Sequence, residues 1–208
     1  MLSQSRRLFV ALAVPPEVRT ELTAAIEGLP DPLRADGLRW VRPDAWHLTL
    51  AFLGAVEPTR ADDVAVRLGR AAARAKPFEL AITAAGRFGR QVLWAGVAGD
   101  RKPLGRLAEA TRAAARRAGI EVEDRPYRPH LTLARGNGAV ELRPVVDALT
   151  ALETARWTVG ELLLIESHLG AGPGRSSRYD IASRWTFGDR PHTERAGSLR
   201  AWTRGPDG

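Results

Sequence analysis

The tetrapeptide His-Leu-Thr-Leu occurs twice in this chain of 208 residues, at positions 47–50 and 130–133. The chain has only four histidines, so half of them begin a copy of this tetrapeptide. Successive side chains of a β-strand point to opposite faces. Each copy therefore predicts a strand with one imidazole and one hydroxyl on a polar face. Its leucines form an apolar face, which in the first copy we extend to Phe52.

The polar faces of these two strands carry groups that suit one reaction. If the strands lie side by side or face each other across a cleft, His47, Thr49, His130 and Thr132 converge on one small volume. A neutral imidazole can accept a proton, and an imidazolium can donate one to a leaving oxygen. Both forms coexist near neutral pH because the ordinary pKa of histidine is about 6.5. Since threonine hydroxyls can donate to oxygens that gain charge, the set indicates acid–base chemistry at a phosphodiester.

The repeat has two other interpretations. A single His-x-Thr segment is most often an amphipathic strand without chemistry, but that interpretation must then explain the same residues in the same phase twice. Histidine is also a common zinc ligand. However, the chain has no cysteine, and neither copy carries an Asp or Glu in phase with its histidine. We therefore expect an enzyme that uses no metal and no cofactor.

Hydrophobic periodicity predicts strands and helices in both halves of the chain. Predicted helices cover residues 16–27, 57–75, 104–118 and 142–152, and predicted strands outside the repeat cover 8–14, 38–41, 78–84, 92–97, 157–169 and 179–187. Each half thus has strands, a long helix and one His-Leu-Thr-Leu strand. This organisation predicts two related lobes, each donating one histidine. We expect a single two-lobed domain over residues 1–187 and a mobile tail over 188–208.

Composition adds expectations about partners and location. The formal net charge is +7, and arginine supplies nearly all of the positive charge. A basic balance favours a polyanionic partner, although heavy use of Arg and Ala could also reflect biased codon usage. No segment approaches the roughly 20 apolar residues that a membrane-spanning helix needs. The absence of cysteine fits a reducing compartment, so we expect a cytoplasmic protein. We also expect a monomer that does not bind membranes.

The two motifs and their flanks resemble a known family. Residues 40–54 and 127–135 resemble the paired His-x-Thr-x motifs of the two-histidine phosphoesterase superfamily, and residues 7–12 resemble its opening strand. The closest resemblance is to RNA 2′,3′-cyclic phosphodiesterases, also called 2′-5′ RNA ligases, and it covers residues 6–187. It implies a two-lobed α+β fold, with antiparallel sheets lining a central cleft, helices packed outside and a pseudo-two-fold arrangement.

The resemblance also implies roles for individual residues. His47 corresponds to the proton donor of the family and His130 to the proton acceptor. Thr49 and Thr132 correspond to residues that bind the phosphate, and Arg135 to an arginine that meets it. Strict alternation places Arg135 on the face opposite His130. The strand must therefore twist, bulge or end before Arg135 if this arginine is to reach the substrate.

The implied reaction is metal-independent hydrolysis of RNA or an oligonucleotide ending in a 2′,3′-cyclic phosphate, leaving a 2′-phosphate. Three alternatives stay open: the reverse reaction, which joins RNA through a 2′-5′ linkage; another small cyclic phosphate as substrate; and an RNA-binding module without turnover. Phe9, Trp46 and Tyr127 could stack on a base, but packing in the core or at its rim is the more common role. His168 has no threonine two positions later, so we expect it to be structural.

Overall fold

The strands form one antiparallel sheet, in a computed structural model that describes residues 5–34, 37–172 and 177–189. They are β1 (Arg6–Ala13), β2 (Leu38–Trp40), β3 (His47–Val56), β4 (Phe78–Phe88), β5 (Val92–Gly99), β6 (His130–Gly136), β7 (Trp157–Val159), β8 (Glu161–His168) and β9 (Arg178–Thr186). Within the described residues these nine strands pair in the order β7-β4-β5-β6-β3-β1-β8-β9, and β2 pairs with the outer part of β6.

Helices connect the strands, and the α-helices in the described residues are α1 (Pro16–Glu27), α2 (Asp31–Arg34), α3 (Pro58–Arg74), α4 (Arg101–Arg117) and α5 (Arg143–Ala148). Proline occupies the first turn of α1 and α3, where its missing N–H costs no helical hydrogen bond. Helix α4 ends at Arg117 with Ala118 as its C-cap residue, and the next residue, Gly119, has a φ of +71°, the left-handed conformation that glycine adopts without strain. The glycine predicted to close this helix therefore lies one residue beyond the C-cap.

The strand order has a two-fold pseudo-symmetry. The six central strands pair in the order β4-β5-β6-β3-β1-β8. If β1 is matched with β5, β3 with β6 and β4 with β8, this order is the same when it is read from either end. Each half contains a strand, a helix and then a histidine strand: β1, α1 and β3 in one half, and β5, α4 and β6 in the other. The α+β prediction with antiparallel strands, outer helices and pseudo-two-fold organisation is confirmed. The two lobes are the two halves of one curled sheet, joined where β3 meets β6.

The helices cover one face of this sheet and leave the histidine-bearing face open. Leu48 of β3 and Leu131 of β6 are fully buried, and they share one hydrophobic core with Val18 of α1, Leu68 of α3 and Leu104 of α4. Burial of such side chains contributes about 1.5–3 kcal/mol each. Because Leu48 and Leu131 alternate with the histidines and threonines, their burial directs those polar side chains to the opposite face.

Tertiary pairing overrides local pattern in two predicted elements, and it also extends the strand predicted over residues 78–84 to Phe88. The predicted strand over residues 157–169 is two strands separated at Gly160: β7 pairs with β4 in one half of the sheet, and β8 pairs with β1 in the other. The predicted helix over 142–152 ends at Ala148. The following residues instead pair with β4, since Leu152 accepts the Ala84 N–H and Glu153 bridges Thr83.

The predicted mobile tail, residues 188–208, lies outside the described residues from position 190 onward. The division into one domain and a tail therefore stays a prediction. No helix in the described part of the chain is long and apolar enough to cross a membrane.

Candidate active site

The two histidine strands meet at one residue pair, Leu48 opposite Leu131. Because the strands run antiparallel, His47 and Thr132 flank this pair at one end, and Thr49 and His130 flank it at the other. All four of these side chains are half-buried, and they share the open face of the sheet. The structure therefore brings together the four polar residues that the repeat predicted would converge. It does so by placing the two copies on adjacent strands.

Each imidazole is held by the same local hydrogen bond. The Nδ1–H of His47 donates to the carbonyl oxygen of Ala45 over 2.8 Å, and the Nδ1–H of His130 donates to that of Arg128 over 2.8 Å. A carbonyl oxygen only accepts, so Nδ1 carries the proton in both rings. The available nitrogen of each imidazole is therefore Nε2. This arrangement fixes both the tautomer and the direction of each ring, as acid–base residues require.

The ring of His47 lies among aromatic side chains from two other strands. The Phe9 ring on β1 is 4.7 Å from it, centroid to centroid, and the Tyr179 ring on β9 contacts it edge-on at 5.2 Å. Burial among these groups lowers the pKa of His47 from 6.5 to about 4, an effect that the hydrogen bond to Ala45 opposes and the charges of Arg135 and His130 reinforce. His47 is therefore neutral at pH 7 in the free protein.

The ring of His130 also has two aromatic neighbours. Phe88 on β4 meets it edge-on at 4.9 Å, and Trp94 on β5 lies 6.4 Å away. The Trp94 indole fills the space above Gly86, where an added Cβ would lie 2.3 Å from the ring. Glycine at position 86 is thus what admits the indole beside His130. The two imidazoles occupy matching positions between pairs of aromatic rings.

The hydroxyls of Thr49 and Thr132 complete the inner part of the site. Within residues 5–34, 37–172 and 177–189, neither hydroxyl has a hydrogen-bond partner in the protein. Both threonines are nevertheless only half-exposed, so their rotamers are restricted by the neighbouring strands. Two hydroxyl donors beside two Nε2 atoms suit the non-bridging oxygens of a phosphate group.

Arg135 reaches the histidine-bearing face because β6 contains a bulge. In the pairing with β5, Thr132 lies opposite Trp94 and Ala134 lies opposite Leu93, so Leu133 has no partner. Leu133 and Ala134 are both buried, which shifts the alternation by one residue and exposes Arg135 on the side of His130. Its charge acts on His47, consistent with that position. The role of Arg135 in binding phosphate stays a prediction.

Comparison with known proteins identifies the family that carries this site. The model of the 2′-5′ RNA ligase superfamily matches residues 14–171. The chain belongs to the 2′-5′ RNA ligase superfamily. The resemblance predicted from the two motifs is thereby confirmed.

Named relatives in this superfamily are similar over much of the chain. The RNA 2′,3′-cyclic phosphodiesterase of Escherichia coli K12 is 34% identical over 190 residues, covering 89% of this chain and 99% of that protein. The Geobacillus stearothermophilus protein of the same name is 31% identical over 141 residues, 64% of this chain, and this chain matches only 44% of that longer protein. The solved structure of E. coli LigT in apo form has a TM-score of 0.72 and 32% identity, covering 90% of this chain and 100% of LigT.

Sequence reasoning misplaced one residue of this superfamily member. Phe52 was predicted on the apolar face with Leu48 and Leu50, but it is 57% exposed on the histidine-bearing face. The reason is a bulge at the same point as in β6: Thr49 lies opposite Ala11 and Ala51 opposite Val10, so Leu50 has no partner. Phe52 thus occupies on β3 the place that Arg135 occupies on β6.

Tyr179 was not singled out from the sequence, although it contacts His47 and is 37% exposed. It comes from β9, far along the chain, and no local pattern links it to the histidine. Of the aromatic residues considered for stacking, Trp46 is buried at 5% exposure and Tyr127 packs against the core. Phe9 is buried beside His47 in a small cluster with Leu163.

The remaining described histidine has a separate environment. The Nε2 of His168 lies 3.0 Å from the carboxylate of Asp180 across the β8–β9 hairpin. This contact supports the structural role expected for His168. Among the described residues, no three His, Cys, Asp or Glu side chains are grouped so as to hold a metal ion.

Proposed function

We propose that this protein hydrolyses the 2′,3′-cyclic phosphate at the end of an RNA chain and leaves a 2′-phosphate. The observation that carries the proposal is the pair of imidazoles on adjacent strands, each held through Nδ1 and each with Nε2 free. The family supports the same reaction, since relatives over most of the chain carry the name RNA 2′,3′-cyclic phosphodiesterase. The enzyme acts in the cytoplasm as a monomer.

Hydrolysis requires one proton to be taken from water and one to be given to the leaving oxygen. His130 accepts the proton of the attacking water through Nε2, and a bond forms between the water oxygen and phosphorus. The bond between phosphorus and O3′ breaks, and the Nε2–H of His47 protonates O3′. His130 then carries the extra proton and His47 is neutral. Exchange with solvent restores the starting state.

The lowered pKa of His47 gives substrate binding a part in this cycle. In the free protein His47 is neutral at pH 7, since burial lowers its pKa to about 4. The cyclic phosphate carries one negative charge, which raises the pKa of a neighbouring imidazole. His47 therefore takes up its proton together with the substrate. The protonated, proton-donating form of His47 therefore forms only when a phosphate is bound beside it.

The other residues of the site stabilise the charge that develops on phosphorus-bound oxygens. Thr49 and Thr132 donate from hydroxyls that are free of partners in the described structure. Arg135 adds a positive charge on the same face. Removing one such donor typically costs about 10²–10³ in rate. The exposed ring of Phe52 and the half-exposed ring of Tyr179 offer the terminal nucleobase an aromatic surface beside His47.

A direct assay tests the reaction. A cyclic-phosphate oligonucleotide is incubated with the protein, and the product isomer is identified by ³¹P NMR, with wild type, His47→Ala and His130→Ala compared. The proposal expects a 2′-phosphate and a loss of about 10²–10⁴ in rate for each variant. A 3′-phosphate product, or near-wild-type rates in both variants, would rule out the mechanism. Adding a 5′-hydroxyl oligonucleotide tests for joining in the same reaction. Binding without any turnover would instead support an RNA-binding module.

A further inference from the structure

A strip of arginines extends from the active site to the rim of the sheet. Arg39 on β2 lies directly opposite Arg135 on β6, and directly opposed residues of an antiparallel pair share one face. The neighbours of Arg39, Leu38 and Trp40, pack against the core on the other face. Arg39 is exposed, so both guanidinium groups lie on the histidine-bearing side of the sheet.

The strip continues over the turn between β4 and β5. The N–H of Gly136, the residue after Arg135, donates to the carbonyl of Gln91 over 2.8 Å, and this places the turn against the end of β6. Arg90 in that turn donates to the carbonyl oxygen of Ala139 over 3.4 Å. The turn therefore contacts both the end of β6 and the loop that follows it, and Arg90 makes the contact with that loop.

Three arginines at this end surround one carboxylate beyond the edge of the histidine-bearing face, since Arg87 lies opposite the buried Leu93 and therefore on the helix-covered face. The backbone N–H of Arg143 donates to Glu141 over 3.1 Å and lowers the pKa of that carboxyl, and the charges of Arg87, Arg90 and Arg143 lower it further. Arg87, Arg90 and Arg143 are all exposed. We name these three residues the rim arginines. None of them forms an ion pair within the described residues.

We propose that this strip, which begins at Arg39 beside Arg135 and ends at the rim arginines, binds the backbone phosphates of the RNA that precedes the cyclic end. The inference rests on the proposed function and names its substrate as an oligonucleotide. Two of the five guanidinium groups lie on the histidine-bearing face and three lie around one carboxylate at the edge of the sheet, so their charge complements a polyanion that leaves the site over this edge.

Chain length and the rim arginines test the proposal together. The cyclic-phosphate mononucleotide, trinucleotide and hexanucleotide are compared by kcat/KM for wild type and for the combined variant Arg87→Gln, Arg90→Gln, Arg143→Gln. Wild type is expected to prefer the hexanucleotide. Each exposed arginine–phosphate contact gives about two- to fivefold, so the variant loses roughly tenfold on the hexanucleotide. Its kcat/KM for the mononucleotide stays within about twofold of wild type.

Two further variants distinguish the effect of the strip on kcat/KM from effects of net charge and of misfolding. The combined variant Arg70→Gln, Arg106→Gln, Arg117→Gln removes the same charge from exposed positions on the outer helices α3 and α4 and is expected to keep the length preference. Glu141→Gln keeps an acceptor for the Arg143 N–H and removes the negative charge. It is expected to raise kcat/KM for the hexanucleotide about two- to fivefold, a gain that partial unfolding does not produce.

The outcomes distinguish this proposal from the proposed function. Equal kcat/KM for all lengths in wild type, or an equal loss in the control variant on α3 and α4, overturns the strip. A wild-type protein that hydrolyses none of the substrates contradicts the proposed function instead. The strip is then tested by fluorescence anisotropy with a hexanucleotide ending in a 2′-phosphate. The rim variant is expected to weaken that binding roughly tenfold and to reduce its salt dependence by about 0.7 in log–log slope per lost contact. Unchanged binding overturns the strip.

Discussion

The neutral state of His47 makes the stability of the protein depend on pH. In the unfolded chain this imidazole titrates near 6.5, whereas in the folded protein its pKa is about 4. Between these values the unfolded state binds one more proton, so a fall in pH favours unfolding. The contribution of neutral His47 to the free energy of unfolding is fully present above about pH 6.5 and is lost as pH falls toward 4. His47→Asn removes the titrating group while its amide can still donate to the Ala45 carbonyl.

The size of the effect follows from the two pKa values. Relative to pH 8, the linkage relation gives a loss of about 2 kcal/mol in the free energy of unfolding at pH 5. Below pH 4 the loss levels at about 3 kcal/mol, because one pKa unit corresponds to 1.36 kcal/mol. This loss is a large fraction of the roughly 5–15 kcal/mol that stabilises a typical domain.

Urea denaturation of wild type and His47→Asn at several pH values between 8 and 4.5 measures this difference. Other titrating groups act in both proteins, so the difference between the two isolates His47. The difference in the free energy of unfolding between the two proteins is expected to shift by about 2 kcal/mol in favour of the variant as pH falls from 8 to 5. A difference that does not change with pH would refute the reasoning. So would a His47 imidazole that titrates near 6.5 in the folded wild type by NMR.

Three other results are expected. Thr49→Val and Thr132→Val each lower kcat/KM about 10²- to 10³-fold, while the serine variants keep most activity because they keep the hydroxyl. Thermal melting checks that folding is intact, and valine variants with full activity would contradict the role. Phe52→Ala raises KM for the cyclic mononucleotide about fivefold or more by removing a stacking surface. Val66 is an exposed apolar residue on α3, and the control Val66→Ala leaves KM unchanged. Equal KM values in both variants would argue against stacking. Chelation with EDTA leaves kcat unchanged, because protons are moved by imidazoles alone, and loss of turnover in EDTA would oppose that mechanism.

The inner site could be predicted from sequence because its information is local. His47 and Thr49 are two residues apart, as are His130 and Thr132, and strand alternation alone places each pair on one face. The repeat then indicates that both pairs serve one purpose. Helix and strand positions followed similarly from hydrophobic period, and the main errors lie where pairing with β4 shortened a helix and where Gly160 divides a strand.

The outer site depends on strand register, which the local pattern did not specify. Phe52 and Arg135 lie on the histidine-bearing face only because Leu50 and Leu133 are unpaired bulge residues opposite β1 and β5. A signal was nevertheless present: both copies continue with alanine, so two apolar residues interrupt the alternation before Phe52 and before Arg135. Tyr179 had no such signal, because it reaches His47 through the pairing of β9 with β8 and β8 with β1.

The central claim is that His47 and His130 meet one phosphorus atom, and an NMR titration tests it most directly. The Nε2 resonances of both imidazoles are followed as inorganic phosphate, and separately a nucleoside 2′-monophosphate, is added at constant pH. Both resonances are expected to move together with a single dissociation constant, while His168, paired with Asp180 on the β8–β9 hairpin, stays in place. Movement of only one of the two imidazoles, or movement with two different dissociation constants, would contradict the claim.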